Sequence, residues 1–118
     1  MFEEFGIVMV VVSDMARSVA FYRDVLGLKL TFGSEQWSNF QVGHVMLGLH
    51  PQGPHLPVNT GGGVSFGFYV PSLEATLAAL AAHGVSPVHT SEEDFGSLAI
   101  IPDPDGYGIQ LCQAKYGH

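Results

Sequence analysis

Hydrophobic residues occur at two spacings along the chain, and the same order of spacings occurs twice. The apolar run from Ile7 to Val12 is typical of a strand, and apolar residues at helical spacing follow it up to Gly27. Shorter alternating runs then predict three strands before a segment rich in proline and glycine. A strand, a helix at Leu73 to His83 and three further strands come after that segment. The pattern predicts two βαβββ modules.

The ends of the two predicted helices carry equivalent residues. Asp14 and Ser72 precede the helices as N-cap candidates, and Gly27 and Gly84 follow them as stop residues. The repeat indicates that one unit is used twice. We expect a single domain over residues 1–118, with module one at about 5–51, a linker at about 52–63 and module two at about 64–114.

Alternation along the predicted strands assigns their faces. In the strand predicted at His44–His50, aliphatic residues alternate with a mixed set of His44, Met46, Gly48 and His50. We expect the aliphatic residues to pack on the helices. The second face combines small, polar and aromatic residues, which is typical of a ligand cleft.

Charge and cysteine content limit the partners and the location. The net charge is −7, which repels nucleic acids and anionic membranes, so neither is an expected partner. Cys112 is the single cysteine, and we predict a buried structural thiol in a reducing compartment. The acidic start does not resemble a signal peptide, and no apolar run could span a bilayer, so we expect a cytoplasmic protein.

Two motifs carry a resemblance to a known family. One runs from Val12 to Leu28, and the other, from Asp103 to Leu111, reads DPDGYGIQL. Both resemble the vicinal oxygen chelate superfamily, which includes glyoxalase I, extradiol dioxygenases, and fosfomycin- and bleomycin-resistance proteins. The resemblance implies an α+β fold in which two βαβββ modules form a curved mixed sheet around a cleft. By itself, the DPDG segment predicts a tight turn before the last strand.

The resemblance also implies where a divalent metal would be held, by one residue from the first and one from the fourth strand of each module. Alignment of the modules places Ile7, Gly48, Ser65 and Gln110 at these positions. Only Gln110 offers a suitable donor, so no metal cofactor is expected. The alternative is a metal-dependent lyase, isomerase or dioxygenase with a displaced ligand set of His44, His50 and Gln110.

The mixed face favours an uncharged or cationic aromatic ligand. None of the four basic residues falls on it, whereas Trp37 does, so an anion would lack a cationic partner. We predict a metal-independent homodimer that sequesters a small molecule, as bleomycin-resistance proteins do, with a role in antibiotic resistance. The predicted cleft residues are Ile7, Trp37, His44, His50, Ser65, Tyr69 and Gln110. A further alternative is a protein whose own side chains fill the cleft and whose surface serves protein contacts.

Overall fold

A computed structural model describes residues 1–115, and the chain divides into two compact units, Met1–Asn59 and Thr60–His118. Each unit is a βαβββ module with a four-stranded mixed sheet, which confirms the predicted fold class and the internal repeat. The division between Asn59 and Thr60 falls inside the segment predicted as a linker. No helix in the described part of the chain is long and apolar enough to cross a membrane.

The elements follow the same order in both units. In unit 1 they are β1 (Ile7–Val12), α1 (Met15–Ala20) with a π-helical turn (Phe21–Val25), β2 (Lys29–Gly33), β3 (Ser38–Val42) and β4 (Val45–Pro51). In unit 2 they are β5 (Phe66–Tyr69), α2 (Leu73–Ala81), β6 (His89–Glu93), β7 (Gly96–Pro102) and β8 (Gly108–Ala114).

The sheets have the same topology and register. Their strand orders are β1-β4-β3-β2 and β5-β8-β7-β6, and in each the first strand of the unit pairs in parallel with the fourth. Met9 lies opposite Gly48 in unit 1, and Gly67 lies opposite Gln110 in unit 2. Because the predicted repeat aligns Gly48 with Gln110, the sheet register supports that alignment.

The helices begin where the sequence predicts. The carboxylate of Asp14 accepts a hydrogen bond from the Arg17 backbone N–H at 3.0 Å, and the Ser72 hydroxyl accepts one from Ala75 at 3.1 Å. These bonds satisfy N–H groups that lack partners within the helix. Beyond the helical segments, Gly27 and Gly84 adopt φ angles of 74° and 77°, which glycine adopts without steric cost.

The first helix differs from the prediction of one continuous α-helix. The Leu26 N–H bonds to the Phe21 carbonyl at 3.0 Å, five residues back, so the last turn is π-helical. Phe21 and Tyr22 are consecutive and both buried, with their rings edge to face at 5.2 Å. Tyr22 also approaches Phe40 of β3, at 6.0 Å between ring centroids.

The core of each unit lies between its helix and one face of its sheet. Leu47 and Leu49 of β4 are buried, as are Ile109 and Leu111 of β8, which confirms the predicted aliphatic face. Cys112 is only half-buried, so the prediction of a buried structural thiol is wrong. Its place in β8 puts it on the face of Gln110, opposite the core.

The DPDG segment forms the predicted turn around a buried carboxylate. Asp103 is 5% exposed, and its Oδ1 accepts hydrogen bonds from the backbone N–H groups of Asp105 at 3.0 Å and Tyr107 at 2.9 Å. The Gly106 N–H bonds to the Asp103 carbonyl at 3.0 Å. These contacts fix the chain direction at the start of β8.

Asp103→Ala should lower the free energy of unfolding by about 1–3 kcal/mol, because two N–H groups lose their acceptor in a poorly solvated turn. Urea unfolding measures the change. Asp94→Ala is the matched control, since it also removes one turn carboxylate but from an exposed site, and it should leave the midpoint nearly unchanged. Equal midpoints for the two variants would show that the Asp103 contacts do not stabilise the turn.

Candidate ligand-binding site

Unit 2 contains a cavity of about 650 Å³, on the face of its sheet opposite the core. This volume lies within the range of small-molecule pockets, roughly 300–1,000 Å³. The residues that line it are Gly67, Phe68, Tyr69, Phe95, Leu98, Gln110, Cys112 and Ala114. The cavity therefore has aromatic and aliphatic walls with one amide side chain and one thiol.

Strand alternation places these side chains. Gln110 and Cys112 alternate with the buried Ile109 and Leu111 along β8, so they project from the opposite face. Tyr69 ends the edge strand β5 and is 59% exposed, which makes its ring accessible from solvent.

Phe95 lies in the turn between β6 and β7 and is 57% exposed. Its ring and that of Tyr69 both line the cavity, so both are available to a bound molecule.

A polar pair and a glycine define the side of the cavity next to β5. The Gln110 amide nitrogen donates a hydrogen bond to the Ser65 hydroxyl at 2.9 Å. A Cβ atom at Gly67 would lie 2.5 Å from the carbonyl oxygen of Gln110, so this position takes no side chain without a backbone shift. The wall at Gly67 is therefore bare backbone.

The equivalent place in unit 1 is filled. Trp37 immediately precedes β3, one residue outside the strand in which it was predicted, and its indole ring lies over Gly48. A Cβ atom at Gly48 would lie 2.5 Å from Trp37 Cζ2 and closer still to Cη2. Gly48 is buried although it faces away from the core, because the indole covers it.

The two predicted histidines have different environments. His50 is half-buried in β4, its ring is edge-on to Trp37 at 6.4 Å, and Nδ1 donates to the Pro51 carbonyl at 2.7 Å. His44 is exposed in the turn before β4 and not in the strand as predicted. Six residues of extended chain separate them by about 20 Å. They cannot bind the same ion within unit 1.

The cavity and its filled counterpart lie within a chain whose sequence matches one family model over most of its length. The model of the glyoxalase/bleomycin resistance protein/dioxygenase superfamily matches residues 4–111. The chain belongs to this superfamily. The resemblance found in the two motifs is thereby confirmed.

Solved structures of the superfamily have the same fold. TnmS3, an antibiotic binding protein from Streptomyces sp. CB03234, superposes with a TM-score of 0.79 over 97% of this chain and 98% of its own, at 24% identity. Lactoylglutathione lyase from Agrobacterium tumefaciens gives 0.78 over 98% and 97%, at 22% identity. A glyoxalase/bleomycin resistance protein from Streptomyces sp. CB03234 gives 0.73 over 93% and 100%, at 24% identity.

The residues at the superfamily's metal positions do not fit a metal ion. Ile7 and Gly48 have no donor atom, and the indole of Trp37 covers Gly48. Ser65 and Gln110 are hydrogen-bonded to each other, and neutral oxygens of this kind are weak ligands for a transition metal. Among residues 1–115, no group of three His, Cys, Asp or Glu side chains is placed to hold an ion.

The cavity of about 650 Å³ in unit 2 has no charged side chain in its described lining. Its lining, taken over the described residues, includes no lysine, arginine, aspartate or glutamate. An ion pair lies elsewhere, on the π-helical turn, where Arg23 Nε donates to Asp24 Oδ1 at 2.8 Å. This hydrogen bond, with the positive charge of Arg23, lowers the pKa of the exposed Asp24 carboxyl.

Five of the seven predicted cleft residues lie near another member of the set, three in unit 2 and two in unit 1. Tyr69 and Gln110 line the cavity of unit 2, and Ser65 is bonded to Gln110. Trp37 and His50 are in contact in unit 1. Ile7 begins β1 and is 48% exposed.

Sequence reasoning missed several lining residues. Leu98 and Cys112 were not selected, although Cys112 shares the parity of Gln110 and the alternation that selected Gln110 could have found it. Gly67 and Ala114 gave no chemical signal.

Gly48→Ala should destabilise the protein by about 1–3 kcal/mol, because the new methyl group would overlap the Trp37 ring. Chemical unfolding measures the loss. The same change in a Trp37→Leu background should cost less, and Gly33→Ala, where a Cβ meets only ordinary contacts at 3.5 Å, is the control. Additive effects of Trp37→Leu and Gly48→Ala would show that the two residues are not in contact.

Proposed function

We propose that this superfamily member binds a neutral or cationic aromatic small molecule in the cavity of unit 2 and does not transform it. The observation that carries the proposal is the lining of that cavity, which combines two accessible aromatic rings, one amide and no charged side chain among the described residues. Such a surface recognises a flat, largely apolar molecule with few polar atoms.

The charge distribution of the protein supports a neutral or cationic ligand. The net charge of −7 attracts cations and disfavours anions at long range. The rings of Tyr69 and Phe95 offer their faces to an aromatic ring or to a cation. A carboxylate or phosphate ligand would lose its hydration in this cavity without gaining a cationic partner.

The chemistry of the lining favours binding over catalysis. Histidine and carboxylate side chains, which most often transfer protons in enzymes, do not occur among the described residues that line the cavity. Gln110 can position a polar group but does not exchange a proton readily. TnmS3, an antibiotic binding protein with the same fold, supports a binding function, and we propose that this chain has a role in antibiotic resistance.

Three anthracenes with different charges at the same position test the ligand class. We expect 9-(aminomethyl)anthracene and 9-anthracenemethanol to bind, and 9-anthracenecarboxylate to bind at least tenfold more weakly. Fluorescence titration gives the three dissociation constants at one ionic strength. Equal affinity for the anion, or no binding of any member, would contradict the proposal.

Substitution of a residue that lines the cavity tests whether the ligand binds there. Tyr69→Ala should weaken binding about three- to tenfold, because aromatic contacts contribute about 0.5–1.5 kcal/mol. Phe32→Ala is the matched control, since Phe32 is similarly exposed, at 55%, but lies in unit 1. A loss of affinity in Phe32→Ala equal to that in Tyr69→Ala would place the ligand elsewhere.

Cys112 provides a second readout, because it is the single cysteine and lines the cavity. A saturating concentration of 9-anthracenemethanol should slow the reaction of Cys112 with N-ethylmaleimide at least fivefold, since the ligand covers the thiol. Mass spectrometry follows the labelling. An unchanged rate at saturation would mean that the ligand does not occupy this cavity.

The protein is further proposed to act as a cytoplasmic homodimer. Exposed apolar residues on the sheet faces support association, among them Ile7 and Met9 of β1, which are 48% and 44% exposed. Sedimentation analysis should give twice the chain mass of 12.6 kDa at micromolar concentration. A monomer under these conditions would contradict the dimer.

A further inference from the structure

Both units have a site at the same position of the sheet, and this site is filled in unit 1 and open in unit 2. The sheet registers define the equivalent positions, because Asn39 and Gly48 are paired in unit 1 as Ile100 and Gln110 are in unit 2. Two residues before Asn39 is Trp37, and two residues before Ile100 is Leu98. Trp37 and Leu98 are therefore counterparts on the same face of their sheets.

The counterparts have opposite effects on the space above the fourth strand. In unit 2, Leu98 leaves room for a cavity of about 650 Å³ in front of Gln110. In unit 1, the indole of Trp37 lies directly on Gly48 and edge-on to His50. The fourth strand accommodates the ring because position 48 has no side chain.

We infer that the Trp37 side chain fills an aromatic-binding cavity in unit 1, and that this cavity is equivalent to the open cavity of unit 2. Residues 37 and 48 thus close this site in unit 1, whereas the equivalent site of unit 2 is open. The inference rests on the proposed function for ligand binding in unit 2, and it adds to that function by specifying the shape of the ligand. A planar molecule with fused aromatic rings, at least the size of indole, is the ligand that this face of the sheet accepts.

The contacts of Trp37 explain why a planar ring is preferred. The indole lies closely over backbone at Gly48, and a saturated ring of similar size is too thick for the same separation. The edge contact with His50 adds an aromatic interaction that a saturated ring lacks. Leu98 and Cys112 stand at the equivalent positions in unit 2, paired across β7 and β8, where a planar ligand would lie against both side chains.

Free indole tests the unit 1 cavity without any assumption about unit 2. Removing a large aromatic side chain leaves an apolar space that small aromatic molecules can fill. Trp37→Ala should melt at a lower temperature than wild type and should bind one more indole per chain than wild type does, so added indole should restore part of the loss. Cyclooctanol should not restore it, and Phe32→Ala is the control for loss of an exposed aromatic ring.

The reciprocal change closes unit 2. Leu98→Trp combined with Gln110→Gly copies the arrangement of unit 1, and it should weaken binding of 9-anthracenemethanol at least tenfold relative to Gln110→Gly alone. Equal affinity in these two variants would overturn the equivalence of the sites. If the double variant does not fold, the indole experiment decides alone.

The two experiments separate the possible failures. If Trp37→Ala binds no more indole molecules per chain than wild type, the inference about unit 1 is overturned even if unit 2 binds anthracenes. If Trp37→Ala binds indole and wild type binds no anthracene, the inference holds for unit 1 and the proposed function of unit 2 fails.

Discussion

The parallel pairing of the first and fourth strands in each unit is the constraint on which the rest of the structure depends. It places β4 and β8 inside their sheets, with a neighbouring strand on both sides. The side chains of these strands therefore point to one face of the sheet or to the other. One direction is taken by the helix and the core. The other carries Gly48 or Gln110, and this difference, together with Trp37 in place of Leu98, separates the filled site from the open one.

Local signals predicted the elements well. The Asp14 and Ser72 caps depend on short-range hydrogen bonds, and the buried Leu47 and Ile109 follow from the two-residue period of a strand, so both can be derived from sequence. The π-helical turn could not be predicted, because it depends on the packing of Phe21 and Tyr22 against the sheet and not on local preference. The strand predicted at His44–His50 is observed at Val45–Pro51 for a related reason, since the antiparallel partner decides where pairing stops.

The candidate site could be predicted in part. Alignment of the two copies found Gly48 and Gln110, and alternation placed Tyr69 and Gln110 on the same side of unit 2. The position of the Trp37 ring over Gly48 could not be read from spacing, because it depends on a side-chain conformation between residues eleven positions apart. Cys112 was predicted to be buried because cysteines usually are, whereas its parity in β8 places it beside Gln110 at the half-buried cavity face.

The contact between Trp37 and Gly48 also has an evolutionary consequence. Any substitution at position 48 in the presence of the tryptophan forces overlap, and loss of the tryptophan while glycine remains uncovers bare backbone. Each single replacement is therefore disfavoured, whereas the two together are compatible. In a lineage with this pair, a side chain at position 48 is disfavoured until the tryptophan is also replaced, so ancestral and descendant sequences should show positions 37 and 48 changing jointly.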